Sequence, residues 1–491
     1  LLSRLRVVVS GDHSNMFLET SVVCFILINI LTGETHTAHG SLKTNGKSEK
    51  FDPNVLLEIN TSSNSVEHVT QSISEGHNFK QSYHKNKPHT KTNRLFSEPA
   101  FQQLEKDLYK TRKERVKQLL NHLPPYSSPF QGCANKSFQS TKFGKVATFK
   151  IDLDAEPEDR WMKVVKQKRS EIKRLADFFE HKFGAKVMNI VDKYISWLHQ
   201  SLPHEYFMEL KGIANWTGLS IGRVTLYNIF YEFFSICTSI VMEGNDGHMY
   251  HGRNLDFGLF MGWDAKNHTW FLTEILRPLI VKVDFFKDGK PLYSAVSYAG
   301  FTGVLTGVKK GRFSLSVNER FISNGGYVGL VEWILGRRDL AWLGLLTRRV
   351  MQTAQSYQQA QDMLASTPLV APVYFILAGN ASHQGCIITR GRSSFDIWPL
   401  GSRHKGQSGD WYLVETNFDH WSQTPFYDHR REYAVQCMDQ AGQQKPLQTL
   451  YSVLSTRPVL NKETTLTAVM DVSAGRLQVW ERDCEDPCWP F

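Results

Sequence analysis

The chain has 491 residues, of which 41% are hydrophobic and 12% aromatic, and this composition excludes a collagen, a coiled coil and a wholly disordered protein. The formal net charge of +9 is compatible with a nucleic acid or an anionic membrane as partner. However, residues 80–117 hold eleven Lys and Arg against four Asp and Glu, so one polar segment carries the excess and the remainder is nearly neutral. The charge therefore does not predict a nucleic-acid-binding face.

Residues 16–38 are predicted to be a signal peptide. The run VVCFILINIL, from Val22 to Leu31, has the length of a signal-peptide apolar core and is shorter than the roughly 20 residues of a membrane span. A buried strand is the alternative interpretation. Five N-x-S/T sequons agree with an exported, soluble protein and are candidate glycosylation sites, namely Asn60, Asn135, Asn215, Asn267 and Asn380.

The seven cysteines point to two disulfides. Removal of the signal segment takes Cys24, and among the remaining six Cys484 and Cys488 in DCEDPC form a natural small loop. That pair alone does not complete a structural zinc site, which needs four ligands. Cys133 and Cys437 are then candidates for a long-range bridge. Cys237 and Cys386 then remain outside these two bridges. A cysteine without a disulfide in an oxidising compartment is expected either to be buried or to take part in the chemistry.

Residues 39–132 are predicted to be a polar, disordered extension or pro-segment, because they are rich in Ser, Asn, His and Lys and poor in aromatics. Within them only residues 101–123 show helical periodicity, and the following LPPYSSP stops it. A folded texture begins at Cys133. Residues 160–201 carry apolar positions at helical spacing, with Gly184 as the expected break.

The next segment predicts a β-hairpin. CTSIVM alternates and is β-branched, GNDG is a turn, and HMYHGRNLDF is extended again, so Cys237 to Phe257 form two paired strands. Strand patterns recur in VDFF, SLSVNERF, PVYFILAG, GCIITRG, FDIWPL, WYLVETNF and TLTAVMDV, and helical ones in DLAWLGLLTRRVMQTAQSYQQAQDML and LQTLYSVLST. Strands flanked by helices predict an α+β fold with layers stacked around antiparallel sheets.

Three motif matches lead to other enzyme classes. Gly218 to Gly222 fit the G-x-S-x-G nucleophile elbow, but a helix end precedes Ser220, so a helix C-cap at Gly218 and an N-cap at Ser220 are favoured. His204-Glu205 begins the metalloprotease H-E-x-x-H pattern, which fails because Met stands at the last position. The glycines of YAGFTGVLTGVKKG lack the ending of a phosphate loop and favour strand turns.

Cys237 is the strongest candidate for a catalytic residue. A cysteine that opens a buried strand is by default a packed core residue. Here Arg253 and Asp256 lie on the partner strand, so charged groups converge on the thiol, and a fixed cation favours the reactive thiolate. Asp256 is expected to hold Arg253 by a bidentate bond or to orient the proton-transfer group.

These residues resemble the acid ceramidases, lysosomal amidases of the N-terminal nucleophile class. The resemblance rests on Cys237-Thr-Ser-Ile-Val, HGRNLD ending at Asp256, NERF at 318–321, ETNFDHW at 415–421, GGYVGLVEWILG, the pair Arg430-Arg431 and the terminal DCEDPC. It covers nearly everything from Cys133 onward, and the long extension before it departs from the family. The implied fold is an αββα sandwich, with 133–236 as a helical α-subunit and 237–491 as the β-subunit that holds the catalytic core.

The resemblance implies self-cleavage between Ile236 and Cys237, after which the two chains stay associated. The Cys237 thiol attacks the preceding carbonyl, water resolves the thioester, and the released α-amine becomes the general base for the thiol. A free α-amine has a pKa of about 7.7 to 8.0, too high for a base in an acidic compartment. Arg253 beside it is expected to depress the pKa of both the amine and the thiol.

The family's catalytic set maps to Cys237, Arg253, Asp256, Glu319, Asn417 and Arg430. Asn417 is assigned to the oxyanion hole, while Glu319 and Arg430 orient the site or bind polar groups of the substrate. Without the resemblance, Asn417 would pass for an ordinary strand residue and Arg430 for surface charge. The resemblance implies neither cofactor nor metal.

The implied substrate is ceramide in membranes, cleaved to sphingosine and a fatty acid in the lysosome, with secretion as a further destination. A saposin-type activator and an anionic lipid surface are the implied partners, and no nucleic acid is. The apolar run after Asp256 has the composition of an acyl-chain lining, although core packing explains it as well: Phe257, Leu259, Phe260, Met261 and Trp263. The closest alternative is the related acid amidase that acts on N-acylethanolamines. The segment FDIWPL, residues 395–400, resembles that branch of the family.

Overall fold

The computed structural model describes residues 41–44, 47–50, 130–136, 138, 145–185, 188–189, 192, 202–230, 236–257, 262–320, 329, 333, 339–403, 409–425 and 427–490. The chain divides into two compact units, Leu1–Thr111 and Arg112–Phe491. In the first unit, the description covers one antiparallel hairpin, formed by β1 (Ser41–Thr44) and β2 (Lys47–Lys50). The predicted signal peptide, the helix at 101–123 and most of the extension lie outside the described residues.

The second unit alternates strands and helices. Its strands are β3 (Thr148–Asp152), β4 (Ile236–Glu243), β5 (Met249–Asp256), β6 (Trp263–Asp264), β7 (Thr269–Trp270), β8 (Ile280–Lys287), β9 (Lys290–Tyr298), β10 (Thr306–Lys309), β11 (Phe313–Glu319), β12 (Val373–Gly379), β13 (Gly385–Arg390), β14 (Phe395–Pro399), β15 (Tyr412–Glu415), β16 (Thr464–Asp471) and β17 (Arg476–Glu481). Its helices are α1 (Met162–Gln167), α2 (Arg169–Phe183), α3 (His204–Thr217), α4 (Ile221–Phe230), α5 (Phe271–Leu276), α6 (Leu343–Thr353), α7 (Tyr357–Ser366), α8 (Arg430–Ala441) and α9 (Pro446–Leu454).

The long strands form two sheets. One sheet has the order β14-β13-β12-β11-β10-β9-β8-β3 and is antiparallel except for the parallel pair of β3 and β8. The other has the order β15-β4-β5-β16-β17 and is antiparallel throughout. The predicted hairpin is confirmed as β4 and β5, which lie at the middle of the five-stranded sheet.

The two sheets pack face to face. Strand β4 shows this, because its residues point alternately to the helices and to the eight-stranded sheet. Ile240 and Met242 point to α8 and α9, where they pack against Met438 and Leu450. Val241, between them, points the other way into a cluster with Tyr374 and Ile376 of β12, Trp398 of β14 and Leu413 of β15. This period of two is what the pleat of a strand dictates. Gly252 brings α9 close to β5, since a Cβ there would lie 2.9 Å from Leu454 Cδ1.

Helices α6 and α7 cover the outer face of the eight-stranded sheet. Lys309 Nζ of β10 donates to the Ala354 carbonyl at the end of α6 over 2.7 Å, and Gln361 Nε2 of α7 donates to Cys386 Sγ of β13 over 3.3 Å. With α8 and α9 on the other sheet, the layers read helix, sheet, sheet, helix. The predicted αββα sandwich of the N-terminal nucleophile hydrolases is therefore confirmed, and the α+β class with it.

Local signals explain the helix ends. Gly184 closes α2 at φ +85°, as predicted, and Gly218 closes α3 in the left-handed conformation at φ +76°. The segment from Asp339 to Leu364, expected to be helical, contains two helices. They are separated because the Ser356 hydroxyl accepts from the Gln359 amide over 3.1 Å and so caps α7.

Both predicted disulfides are confirmed. Cys133 is bonded to Cys437, 304 residues later and within α8, and Cys484 is bonded to Cys488. Cys237 and Cys386 are buried and form no disulfide within the described part of the chain. Within that same part, no helix combines the length and the apolar character needed to cross a bilayer.

Candidate active site

Cys237 is the second residue of β4 and is completely buried. Its thiol lies 3.6 Å from the Val317 carbonyl of β11, so the side chain points between the two sheets. The register of the hairpin brings Arg253 beside it. Leu255 is directly opposite Cys237, and Arg253, two residues before, is its diagonal neighbour on the same face.

One branch of the Arg253 guanidinium contacts the thiol, and both branches bind the facing sheet. Nη2 donates to Cys237 Sγ and, over 3.1 Å, to the Val317 carbonyl. Nη1 donates to the Leu305 carbonyl over 2.8 Å and to Thr306 Oγ1 over 2.7 Å. The side chain is fully buried, so the cation is fixed in a low-dielectric environment where its effect on the thiolate is strong.

Asp256 does not hold Arg253, contrary to the expectation of a bidentate bond between them. Three residues apart on one strand, the two side chains project to opposite faces. Asp256 Oδ2 pairs instead with Arg430 Nη1 at 3.3 Å and accepts from Asn461 Nδ2 at 3.3 Å. Arg430, the first residue of α8, is buried and also donates from Nη1 to the Cys237 carbonyl over 3.1 Å. A surface role for Arg430 is therefore excluded.

Asn417, just after β15, meets Cys237 through its amide oxygen. Oδ1 accepts from the Cys237 backbone amide over 2.9 Å and from Arg430 Nη2 over 2.9 Å. The amide nitrogen Nδ2 donates to the Glu319 carbonyl over 2.8 Å. Glu319, at the end of β11, thus takes part through its main chain. The structure brings all six predicted residues together around the peptide that joins Ile236 to Cys237.

Asp428, which the sequence does not mark as a site residue, completes the cluster. Its Oδ1 accepts from Arg430 Nε over 2.9 Å, and its Oδ2 accepts from Arg430 Nη2 over 2.6 Å, so it fixes the orientation of that guanidinium. The signal available was an acidic residue two positions before an arginine, a pattern too common to be informative. The carbonyls of Leu305 and Val317 leave no side-chain signal at all.

The pKa values of the two buried carboxyl groups of the site, Asp256 and Asp428, are shifted in opposite directions. Burial raises the pKa of Asp256, against the opposing effect of the Arg430 charge and of hydrogen bonds from Thr464 and Asn461. Burial acts in the same sense on Asp428, but the charge and hydrogen bonds of Arg430 outweigh it and keep the pKa of that carboxyl low. Arg430 therefore carries its charge together with an ionised Asp428.

His251, also on β5, lies between the sheets beneath this cluster. Its Nδ1 is 3.0 Å from Ser314 Oγ and its Nε2 is 2.8 Å from Ser316 Oγ. Burial, with a smaller contribution from the Arg253 charge, lowers the pKa of His251 to about 3. The ring therefore stays neutral at the pH of an acidic compartment and serves the fold as a hydrogen-bonding group.

We expect His251→Asn to be destabilising at pH 7 and progressively less so at acid pH. An unfolded histidine has a pKa of about 6.5, so the unfolded wild type takes up a proton at pH 5 that the folded one refuses. Stability tied to His251 is thus lost as the pH falls below about 6.5, by about 2 kcal/mol at pH 5. The difference in unfolding free energy between variant and wild type should shrink by that amount between pH 7 and pH 5. Exposed His248→Asn is the control, and a gap independent of pH would contradict the buried neutral state.

The other motif interpretations find no support. Ser220 is exposed, and its hydroxyl accepts from the Arg223 amide over 3.2 Å, which confirms the helix cap at the start of α4. His248 and His251, three residues apart, share no site, because the side chain of His248 is exposed and that of His251 is buried. No group of three or more His, Cys, Asp or Glu within the described ranges is arranged to hold a metal ion.

The predicted acyl-chain lining and the sequons are described in part. Phe257 is buried and makes an edge contact with the Tyr298 ring, which is core packing, and residues 258–261 lie outside the description. Asn135, Asn215 and Asn267 are exposed, and Asn380 is partly buried. Asn60 is outside the described residues.

Comparison with known proteins gives two family matches. Residues 237–442 match the linear amide C–N hydrolases of the choloylglycine hydrolase family, and residues 144–202 match the beta subunit of N-acylethanolamine-hydrolyzing acid amidase. Among solved structures, the N-acylethanolamine-hydrolyzing acid amidase ortholog of Caenorhabditis elegans is similar, with 31% sequence identity and a TM-score of 0.42, over 50% of this chain and 100% of that one.

Curated relatives match over a longer stretch. Acid ceramidase of Homo sapiens is 42% identical over 374 residues, which is 75% of this chain and 94% of the relative, and that of Heterocephalus glaber is 43% identical over the same shares. Acid ceramidase of Mus musculus is 42% identical over 74% of this chain and 94% of its own length. Since the likeness spans nearly the whole of these relatives, the chain is an amidohydrolase and belongs to the acid ceramidase family.

Proposed function

We propose that this protein hydrolyses the amide bond of ceramide to sphingosine and a fatty acid, with Cys237 as an N-terminal nucleophile. One observation carries the proposal. The match to the linear amide C–N hydrolases begins at Cys237, and the thiol of that residue contacts a fully buried arginine. A cysteine with that partner is suited to nucleophilic attack on an amide.

The first reaction is on the chain itself. Cys237 Sγ attacks the carbonyl carbon of Ile236, the bond from that carbon to the Cys237 nitrogen breaks, and the nitrogen takes the thiol proton. A thioester joins Ile236 to Sγ. Water then hydrolyses the thioester, leaving a carboxylate on Ile236 and a free thiol and α-amine on Cys237. Residues up to Ile236 become one chain and residues from Cys237 the other.

The surrounding contacts suit each step. The Arg253 guanidinium stabilises negative charge on sulfur, and the Arg430 bond to the Cys237 carbonyl holds the nucleophile's backbone. Asn417 Oδ1, which accepts from the peptide nitrogen, keeps an acceptor for the α-amine once that nitrogen is free. The amine is thereby oriented towards its own thiol.

The same groups then serve the lipid amide. The α-amine takes the proton of the thiol, sulfur attacks the substrate carbonyl, and the amine returns the proton to the leaving nitrogen. Water hydrolyses the resulting acyl-enzyme. In the oxyanion role proposed for Asn417, its Nδ2 exchanges the Glu319 carbonyl for the developing oxyanion. Glu319 and Arg430 orient the site.

The remaining expectations are part of the proposal. The site works in the acidic lysosome, on ceramide presented by an anionic lipid surface with a saposin-type activator, and a secreted form exists besides. Residues 16–38 direct export, and 39–132 are an extension of the precursor. The chains 133–236 and 237–491 stay together after the cut. Exposed Asn135, Asn215 and Asn267 are the best placed of the sequons to carry glycans.

The second candidate activity is hydrolysis of N-acylethanolamines. The observation that favours it is the match of residues 144–202 to the beta subunit of N-acylethanolamine-hydrolyzing acid amidase. Both reactions cleave a linear fatty amide and require the same Cys237 chemistry. They differ in the leaving amine, a long-chain base in one and ethanolamine in the other.

A direct comparison of the two substrates separates these candidates. After acid incubation of the purified precursor, we expect ceramide to be cleaved faster than N-palmitoylethanolamine at about pH 5, as measured by fatty acid release from mixed detergent micelles. Cys237→Ala serves as the blank. A preference for the ethanolamide would keep the mechanism and replace the substrate, whereas equal release by wild type and blank would contradict the mechanism as well.

A further inference from the structure

The N-terminal part of the chain holds a buried carboxylate that the proposed chemistry does not use. Glu209, on α3, is fully buried, and its Oε1 accepts from Arg348 Nη2 of α6 over 2.6 Å. Its Oε2 accepts from Arg348 Nη1 and, over 2.7 Å, from the indole of Trp161. Arg160 Nη1 is the fourth donor, at 3.0 Å from Oε1. Such a fork is rigid because every bond fixes both direction and distance.

Arg348 also binds the segment 300–302, which precedes the residues that contact Arg253. Its Nη1 also donates to the Thr302 carbonyl over 2.9 Å. From α4, Asn228 holds the same segment, since its Nδ2 donates to the Gly300 carbonyl and its Oδ1 accepts from the Thr302 amide, both over 2.9 Å. Residues 300–302 are therefore held by α3, through Arg348, and directly by α4.

The residues that follow this segment bind Arg253. Three and four residues after Thr302, the Leu305 carbonyl and Thr306 Oγ1 accept both bonds of Arg253 Nη1. These acceptors decide where the other branch of the guanidinium lies against Cys237. Glu209 and Asn228 precede the proposed cut, whereas Arg348, Thr302 and Arg253 follow it.

We infer that Glu209 and Arg348 are positioning residues for Arg253, so that the chain ending at Ile236 is a working part of the catalytic site and not only a cover released by cleavage. The inference rests on the proposed function, because it concerns the same Cys237 site. It assigns a role in the cleaved enzyme to a charge pair that touches neither substrate nor thiol.

The expected effect follows from what Arg253 does to the α-amine. The charged and ionisable groups around Cys237 are Arg253 and Asp256 of β5, Glu319 at the end of β11, Arg430 of α8 with Asp428 just before it, and the Tyr298 hydroxyl of β9. A cation close to the amine disfavours its protonation. If Arg253 moves away, the amine takes up a proton more readily, and the enzyme loses activity at the acid end of its pH range.

The test compares Glu209→Gln and Arg348→Lys with Lys211→Met. Lys211 lies two residues after Glu209 on the same helix, is exposed and pairs with Glu158 at 2.8 Å, so it controls for loss of an ion pair on α3. The measured quantities are kcat and the pH profile of kcat/KM for a soluble short-chain amide, on protein confirmed by mass to be cut before Cys237.

We expect Glu209→Gln to lower kcat at least tenfold and to move the acid limb of the profile upward by about half a pH unit or more, with a smaller change in Arg348→Lys and none in Lys211→Met. A fall in kcat with the acid limb unmoved would overturn the inference and leave a purely structural pair. Unchanged kcat in Glu209→Gln would overturn it too. Failure of the wild type itself to be cut or to hydrolyse amides would instead refute the proposed function.

Discussion

Replacing Cys237 with alanine should leave the chain uncut after Ile236 and should remove amide hydrolysis altogether. In the proposed mechanism both reactions need the sulfur, first as the nucleophile that attacks the preceding peptide and then as the acceptor of the acyl group. No second nucleophile substitutes for it at this position. Denaturing electrophoresis under reducing conditions after acid incubation reports the first reaction, and fatty acid release from ceramide reports the second.

The matched control is Ser220→Ala, which removes the serine of the G-x-S-x-G match. Its hydroxyl caps α4 on the surface, so the variant should be cut at the wild-type rate and retain its activity, with a loss of about 1 kcal/mol in stability. If Ser220→Ala were inactive and Cys237→Ala active, the N-terminal nucleophile mechanism would be wrong and the serine hydrolase interpretation would return.

Replacing Arg253 with methionine should slow both the cut and lipid amide hydrolysis by roughly 100 to 1000 fold, the range found when a preorganised polar contact to a reacting group is removed. The guanidinium contacts the thiol directly, and methionine fills much of its space without the charge. The variant also leaves the Leu305 and Val317 carbonyls without these donors, so its folding must be checked by thermal unfolding.

Arg253→Lys keeps the charge and separates its effect from that of the hydrogen-bonding fork. A lysine is a point charge with one nitrogen, so it cannot bind the thiol and the facing strand with two separate branches. We expect it to recover part of the rate of the cut while remaining below the wild type. Full activity of a folded Arg253→Met protein would show that the cation has no part in the reaction.

Strands with strong β-branched alternation could be predicted from the sequence, because period two and turn residues fix both their type and their pairing. β4 and β5, with GNDG between them, are such a case. The sequence patterns do not indicate β3, β9, β10 and β17, or the two-residue strands β6 and β7. β9 begins with Lys290 and Pro291 and exposes its first residues, so its apolar face is visible only once β8 and β10 flank it.

The candidate site was predictable as a set of residues but not as a set of bonds. The spacing of Cys237 and Arg253 across a hairpin already indicated their contact. The partner of Asp256 was not predictable, since Arg430 reaches it from a helix 174 residues away. The sequence does carry a capping signal that separates α6 from α7, namely Ser356 followed three residues later by Gln359.

The bond between Cys133 and Cys437 joins the two sides of the proposed cut. Once Ile236 and Cys237 are separated, this bond makes the two polypeptides one covalent molecule, and the mass of the whole rises by a single water. Partners linked in this way meet at an effective concentration that dilution does not change. A cleaved enzyme at very low concentration would therefore keep its two chains associated. After reduction of the disulfide, the chains could separate and would have to meet again by bimolecular association.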